Sequence, residues 1–205
     1  MDEEIEEKYV HEFYRKASFE FSAKRNSPWQ PVRNFLSEFW SNEMISLDYG
    51  CGCGRNLPKN GVGLDISREL LMICQGKKNP LSLVLSSGLS IPFKDNSFDL
   101  ILNVAVIQHL STEERRYIAL NECYRVLKPG RKSFISVTSE SIKSFKSVKI
   151  INNNDVLIPI KRINEYLRYY HLFNENEFHN LIIKIGFKII KKGFYQNNYF
   201  VEVEK

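Results

Sequence analysis

The chain has 205 residues, with 29 lysines and arginines against 24 acidic residues and an apolar fraction of 43%. This length predicts one domain that buries a core without disulfides or structural metal ions. No apolar run approaches the roughly 20 residues needed to cross a bilayer, which argues against a membrane protein. The formal charge of +5 permits a polyanionic partner without requiring one, and residues 138–171 would be its contact.

The N-terminus and the cysteines indicate the compartment. Five acidic residues fall within the first seven, whereas a secretory signal begins with basic residues followed by an apolar run. We therefore expect a cytoplasmic protein, with a nuclear location as the alternative. Cys51, Cys53, Cys74 and Cys123 are then expected to be reduced thiols. No second closely spaced Cys or His pair accompanies Cys51-x-Cys53, so no metal site is predicted.

A helix at 3–17 is predicted ahead of residues 44–137, where short apolar runs alternate with helical patterns, as in βα units and a parallel sheet. Residues 138–165 show weak periodicity and are predicted to form an insertion or long loop. A helix at 174–185 and a hairpin of 187–194 and 199–203 follow. A further helix is predicted to begin at the capping box of Ser111 and Glu114 and to stop at Lys128-Pro129-Gly130. The remaining predicted elements are a helix at 67–75 and strands at 44–49, 61–64, 81–85, 98–103 and 132–137.

Three glycines follow the first predicted strand, in the segment Asp48-Tyr49-Gly50-Cys51-Gly52-Cys53-Gly54. Glycines let the backbone approach a ligand where a Cβ would collide, and doubly wound sheets bind nucleotide-like ligands at this place. Asp65 ends the second strand, where a carboxylate can accept hydrogen bonds from a ribose diol, and Asp48 could meet a cationic group. The alternative is a surface turn followed by an ordinary helix N-cap.

Further motifs accompany this loop in chain order: Gly63-Leu64-Asp65-Ile66-Ser67, Ile91-Pro92-Phe93, Ser97-Phe98-Asp99 and Arg125-Val126-Leu127-Lys128-Pro129-Gly130. Together they resemble the class I methyltransferases that use S-adenosylmethionine. The resemblance implies a doubly wound α/β fold: a mostly parallel seven-stranded sheet with helices on both faces and a C-terminal antiparallel hairpin. It also implies S-adenosylmethionine as the cofactor.

A narrower resemblance is carried by Tyr9-Val10-His11-Glu12-x-Tyr14, by Phe21-Ser22-Ala23-x-Arg25-x-x-Pro28-Trp29, and by residues 105–116, 155–159 and 168–173. These segments resemble the tRNA wobble-uridine carboxymethyl methyltransferases. That family esterifies the carboxylate of carboxymethyluridine in the tRNA anticodon loop, and it usually works with a small zinc-binding activator protein. The resemblance implies one domain, 1–205, with a helical cap (1–43), a cofactor-binding core (44–137), an insertion and substrate-facing segment (138–171), and a C-terminal helix and hairpin (172–205).

The cofactor site implied by the resemblance follows the strand ends. Ser87 stands where the family commonly has an acid that contacts adenine, so an adenine contact here must use hydroxyl or backbone groups. The predicted cofactor-binding residues are Asp48, Gly50, Gly52, Gly54, Asp65, Ile66, Ser87, Gly88, Leu89, Asn103 and Val104.

The predicted catalytic residues are Arg25, His109, Tyr170 and His171, and the predicted substrate-binding residues are Arg25, Trp29, Arg168, Tyr169, Tyr170 and Asn198. Each has a plainer interpretation. Trp29 could pack in the core, Arg25 could form a surface ion pair, and His109 could be structural. We expect one of Tyr169 and Tyr170 to be buried and the other exposed. The family's paired histidines appear here as Gln108-His109, which leaves His109 as the candidate.

The strand at 81–85 should lie at the edge of the sheet, and Leu81, Leu83, Val84 and Leu85 make it unusually apolar for an exposed edge. We expect the activator to add a strand there. Two other functions stay open: a class I enzyme that methylates a small molecule or a protein, and a methyltransferase-fold subunit that binds without catalysis. A subunit without catalysis should not bind S-adenosylmethionine. An enzyme that acts on a small molecule or a protein should lack the steep salt dependence of RNA binding.

Overall fold

The computed structural model describes residues 2–23, 27–77, 82–160 and 163–205. These residues contain ten strands and six α-helices. The strands are β1 (Ser46–Tyr49), β2 (Val62–Asp65), β3 (Leu83–Leu85), β4 (Phe98–Val104), β5 (Leu127–Thr138), β6 (Lys149–Ile150), β7 (Asp155–Ile160), β8 (Ile163–His171), β9 (Lys188–Tyr195) and β10 (Asn198–Glu204). The helices are α1 (Asp2–Glu6), α2 (Glu12–Ser22), α3 (Gln30–Phe39), α4 (Arg68–Lys77), α5 (Glu113–Val126) and α6 (Glu175–Ile185).

A seven-stranded sheet in the order β3-β2-β1-β4-β5-β10-β9 forms the centre of the molecule. Strands β1 to β5 are parallel, and β10 is antiparallel to both β5 and β9. Successive residues of β4 face opposite sides: Leu100 packs with α3, whereas Ile101 packs with α5 and α6. This alternation explains why the central strands are apolar on both faces. The predicted fold class is confirmed.

Helix α5 begins one residue later than predicted and ends before the predicted stop. Thr112 is the N-cap, because its Oγ1 accepts the Arg115 N–H at 3.2 Å. The predicted capping box of Ser111 and Glu114 is wrong, since the Ser111 Oγ donates instead to Glu6 Oε1 at 2.8 Å. The helix ends at Val126, ahead of the predicted stop at Lys128-Pro129-Gly130, because proline also disfavours helical backbone in the residue before it.

The described residues of 138–165 form an ordered insertion, and the alternative prediction of a long loop is wrong. A short 3₁₀ helix, Glu140–Ser144, is followed by the antiparallel sheet β6-β7-β8. Val156 lies opposite Tyr170 in this sheet, and both are buried against Ile142 and Leu172. Strands of two and six residues are too short to give a clear period, so their pairing partner in β8 was needed to reveal them.

The N-terminal helix extends further than the predicted 3–17. Helices α1 and α2 are joined by a π-helical turn, Glu7–His11. Glu6 is 2% exposed, and its carboxylate accepts the backbone N–H of Ser111 at 2.7 Å and the guanidinium of Arg115 at 2.8 Å and 2.9 Å. A buried ion pair therefore ties this helix to the start of α5.

The two edges of the main sheet differ in chemistry. Leu85 in β3 is 57% exposed. Strand β9 carries exposed Lys188, Lys191 and Lys192 along the opposite edge. Of the helices in the described residues, none is long and apolar enough to cross a membrane.

A buried histidine joins the small sheet to α6. The His171 Nδ1 lies 2.8 Å from Asp155 Oδ1, and its Nε2 lies 2.6 Å from Glu177 Oε1. Burial disfavours the charged imidazole, but the two carboxylates outweigh it and raise the pKa of His171 above 6.5. Burial likewise opposes ionisation of Asp155, but hydrogen bonds from His171 and Tyr169 lower the pKa of Asp155 from 3.8 to about 2.

These shifts predict a stability window in pH. The contribution of Asp155 is present above pH 3.8 and is lost as the pH falls towards about 2. The contribution of His171 is present below pH 6.5 and is lost as the pH rises through its raised pKa. We expect Asp155→Asn to lower the thermal unfolding midpoint by about 3–6 °C between pH 4 and 6.5, and by less at either extreme.

Circular dichroism melts from pH 3 to 9 test this. Glu113→Gln, which removes an exposed carboxylate 3.7 Å from Lys184, should leave the midpoint unchanged. A loss at position 155 that is the same at every pH would contradict the assignment of the window to Asp155 and His171.

Candidate active site

A cavity of about 380 Å³ opens at the carboxyl ends of β1, β2, β4 and β5. One half of its wall consists of the glycine loop, the end of β2 and the turn after β3. The other half consists of the segment after β4, the end of β5, the N-terminal helix, Trp29, β8 and the tip of the β9-β10 hairpin. We call these the loop wall and the outer wall. Ligands bind at this end of the strands in doubly wound sheets.

The glycine loop turns tightly where β1 ends. Gly50 adopts a left-handed φ of +69°, and a Cβ at this position would lie 2.4 Å from Val106 Cγ2. Its N–H donates to the carbonyl of Leu64 at 2.7 Å, which holds the loop beside β2. The sequence needs glycine here for both the backbone conformation and the close approach of Val106.

Asp65 links the glycine loop to the turn after β2. Its Oδ2 accepts the N–H of Gly52 at 2.7 Å, and its Oδ1 accepts the N–H of Ser67 at 2.8 Å. Burial raises the pKa of Asp65 above 3.8, against the opposing effect of these backbone donors. The backbone N–H of Ile66 is a third donor to this carboxylate. A carboxylate has about four lone-pair sites, so Asp65 keeps room for a ligand hydroxyl.

The turn after β3 completes the loop wall. The Ser87 Oγ accepts the N–H of Leu89 at 3.2 Å. A Cβ on Gly88 would lie 1.9 Å from Tyr49 Oη, so only glycine fits against that ring. Ile66 and Leu89 add apolar surface to the wall. Loops without room for a Cβ, a buried carboxylate and an apolar flank fit an adenosyl group.

Arg168 and His109 dominate the outer wall. The Arg168 guanidinium donates to Tyr14 Oη at 2.8 Å and lies 4.7 Å from the Tyr170 ring centroid. It also lies 5.3 Å from the centroids of Phe13 and Phe21, so aromatic faces hold a buried cation at the wall. His109 Nδ1 lies 2.8 Å from the carbonyl oxygen of Tyr169. A carbonyl only accepts, so Nδ1 carries the proton.

Trp29 and Asn198 stand at the hairpin side of the outer wall. The Trp29 indole N–H donates to Gln196 Oε1 at 2.9 Å, and its ring meets Tyr195 edge-on at a centroid distance of 5.2 Å. Trp29 also packs on the apolar cluster under α3. It therefore combines a core contact with a place at the cavity.

Several predicted residues lie behind the wall. Asp48 is buried, and burial followed by the charge of Asp65 raises its pKa well above 3.8, so it is ill-suited to pair with a cation. Gly54 faces Cys74, and the Asn103 amide donates to Cys123 Sγ at 3.7 Å. These three residues shape the loop wall from behind.

The same holds for two predicted residues of β8. Tyr169 donates to Asp155 Oδ1 at 2.7 Å on the face of the small sheet that points away from the cavity, and His171 lies on that face too. Tyr169 is 1% exposed and Tyr170 is 8% exposed, so the prediction of one buried and one exposed tyrosine is wrong. Arg25 lies outside the described residues, and its role stays a prediction.

The N-terminal helix also contributes side chains to the cavity, which was not predicted from the sequence. Glu6, Val10 and Tyr14 all line the cavity, and their spacing of four places them on one face of a helix. That periodicity was visible in the sequence. No three histidine, cysteine, aspartate or glutamate side chains in the described ranges form a group that could hold a metal ion.

Comparisons with known proteins agree with this geometry. A family model described as a methyltransferase domain matches residues 47–135. The tRNA (carboxymethyluridine(34)-5-O)-methyltransferase of Schizosaccharomyces pombe is 32% identical in an alignment of 231 positions, gaps included, that covers 100% of both chains.

Two solved structures share the fold. A SAM-dependent methyltransferase of Methanosarcina mazei aligns with a TM-score of 0.70 at 20% identity, over 87% of this chain and 98% of that one. A chain from the Haloferax volcanii complex between the Trm112 methyltransferase activator and a methyltransferase aligns with a TM-score of 0.71 at 15% identity, over 95% and 96%.

The glycine loop yields a prediction about ligand binding. Gly50→Ala should abolish binding of S-adenosylmethionine, because the new Cβ strains the left-handed backbone and displaces Val106. Gly130→Ala is the control for backbone strain: Gly130 has a φ of +72°, so the strain of about 1–2 kcal/mol is similar, but no atom lies within 4 Å of the new Cβ. Gly76→Ala, in α4, should be neutral or stabilising. Calorimetric titration and thermal melts separate the three; binding by Gly50→Ala at wild-type affinity would contradict the assignment.

Proposed function

The chain belongs to the family of tRNA (carboxymethyluridine(34)-5-O)-methyltransferases, and we propose that it methylates the carboxylate of 5-carboxymethyluridine at the wobble position of tRNA. Its matched domain and its fold are those of the S-adenosylmethionine-dependent methyltransferases. One observation carries the proposal: a single cavity joins a loop wall suited to an adenosyl group with an outer wall that holds a buried arginine among aromatic rings.

The loop wall would hold the cofactor. Asp65 would accept hydrogen bonds from the ribose hydroxyls, the loop at Gly50 and Gly52 would pass close to the ligand, and Ser87 to Leu89 would border the base. When bound, S-adenosylmethionine supplies an activated methyl group. The protein contributes alignment of the two reactants, which accounts for a large part of the acceleration in transfers of this kind.

The outer wall would hold the substrate anion. A carboxylate is ionised at neutral pH, so the reaction needs no strong general base. Arg168 places a fixed positive charge at the wall, and its position among aromatic rings limits competition from water. Tyr170, whose ring contacts both Arg168 and His109, keeps that charge in place. His109 presents a ring fixed in orientation through its Nδ1.

Unpaired anticodon bases suit this wall better than a duplex would. Trp29 lies between the cavity and the hairpin tip, where a base turned out of its stack could pack on the indole. Sequence-specific RNA recognition commonly uses aromatic stacking and hydrogen bonds to splayed bases. The roles of Trp29, Asn198 and Arg25 in binding tRNA are part of this proposal.

We extend the proposal to a partner at β3. This strand is an edge of the main sheet, and the side chains of Leu85 in β3 and Met72 in α4 beside it are 57% and 63% exposed. An exposed apolar edge favours pairing with a further strand. The Haloferax volcanii complex contains a methyltransferase activator, which supports a small activator, zinc-binding in this family, as the partner.

Leu85→Lys should weaken the complex with such an activator while cofactor affinity stays unchanged, because a charge opposes burial of the edge. Ile190→Lys, on the other edge strand, is the matched control, since Ile190 is 44% exposed. Co-purification of the tagged activator with each variant is the measurement. Equal recovery with both variants would contradict the placement at β3.

Methyl transfer to tRNA that contains 5-carboxymethyluridine tests the function itself. Asp65→Asn should weaken cofactor binding by about 100-fold or more, as charged hydrogen bonds are lost. Arg168→Met should raise the KM for tRNA by about tenfold or more and leave cofactor affinity unchanged. Arg131→Met, at the opposite end of β5, is the control. Equal activity on tRNA with an unmodified wobble uridine, or none on the carboxymethylated tRNA with activator present, would refute the proposal.

A further inference from the structure

Gln108 carries a buried acceptor that the fold leaves unused. It lies in the 3₁₀ turn Ile107–His109 directly after β4, lines the cavity, and is 1% exposed. Its Oε1 has no hydrogen-bond partner among the described residues. An amide oxygen buried without a donor is destabilising, so its presence at a cavity wall calls for a reason.

A chain of hydrogen bonds fixes which end of the Gln108 amide is free. The Asn198 Nδ2 donates to the backbone oxygen of Gln196 at 2.7 Å, which makes the Asn198 Oδ1 an acceptor. The Thr138 hydroxyl gives its one proton to that oxygen at 3.2 Å. The Thr138 oxygen must therefore accept from the Gln108 Nε2, at 3.0 Å. The unsatisfied atom is thus the carbonyl oxygen, and the wall offers an acceptor.

The acceptor lies on the substrate side of the cavity. Thr138 and Asn198 belong to the outer wall, whereas the groups that fit an adenosyl ligand belong to the loop wall. The last torsion of a glutamine side chain is soft. A small turn about it can present Oε1 to a ligand while Nε2 stays with Thr138.

Given the proposed function, on which this inference rests, we propose that Gln108 is a specificity-determining residue that accepts the N3–H of the target uracil. N3–H is the one hydrogen-bond donor on the ring of 5-carboxymethyluridine. Cytosine has an acceptor at the same position and would leave two lone pairs facing each other. The buried Gln108 carbonyl then favours uracil over cytosine, and the hydrogen-bond chain to Gln196 keeps it in the accepting orientation.

An atomic replacement in the substrate tests this contact. Anticodon stem-loops carry either 5-carboxymethyluridine or its 3-deaza analogue, in which C–H replaces N3–H. We expect the wild-type kcat/KM to fall by about tenfold or more with the analogue. Gln108→Met has a similar shape but lacks the carbonyl, so it should lose activity on the natural base and process both stem-loops equally.

Three further measurements make the outcome decisive. Gln75→Met, on the exposed face of α4, should discriminate like the wild type. The unfolding midpoint of Gln108→Met should not fall by more than a few degrees, since the variant removes an unsatisfied acceptor. Thr138→Val should also reduce discrimination, because it releases the amide from its fixed orientation.

The inference is overturned if the wild type and Gln108→Met discriminate equally between the two stem-loops. It is also overturned if the wild type loses its discrimination when the ribose 2′-hydroxyl is removed. A lower affinity of Gln108→Met for S-adenosylmethionine would likewise contradict it, because the carbonyl would then serve the cofactor. Failure of the proposed function would look different, because the wild type would then not methylate the natural stem-loop at all.

Discussion

The carboxylate of Asp65 holds together the part of the molecule on which the rest of the site depends. It accepts backbone N–H groups from the turn after β1 and from the turn after β2, so two loops that are distant in sequence share one buried anion. The missing Cβ of Gly50 lets the loop lie close to Val106, and the hydrogen bond from Gly52 to Asp65 fixes the loop beside β2. The two loops are therefore already held in position before a ligand binds to them.

The loop wall was largely predictable from the sequence, because its determinants are local. Glycines after an apolar strand, and an aspartate at the end of the next strand, define the same geometry wherever strands are parallel. Asp48 and Asn103 were predicted to bind the cofactor, but neither lines the cavity, because their strand positions put their side chains behind the wall. Sequence spacing gives the end of a strand more reliably than the face on which a side chain lies.

The outer wall depends on contacts that no local pattern encodes. Arg168 reaches Tyr14 across 154 positions of the chain, and His109 is oriented by the carbonyl of Tyr169. Tyr169 and His171, which were predicted to act at the substrate, lie away from the cavity for a related reason. Alternate residues of β8 face opposite sides, and only the register with β7 shows that Arg168 and Tyr170 share the cavity side. The short strands β6 and β7 become recognisable once that partner is known.

The unlike edges of the main sheet limit how this protein can assemble. β3 is short and apolar, whereas the exposed lysines of β9 disfavour pairing with a second copy of the same strand. A strand added at β3 would cover the apolar edge and leave only the lysine-bearing edge of β9. Such an assembly would be a finite pair rather than a filament, because the remaining edge disfavours a second copy of the contact.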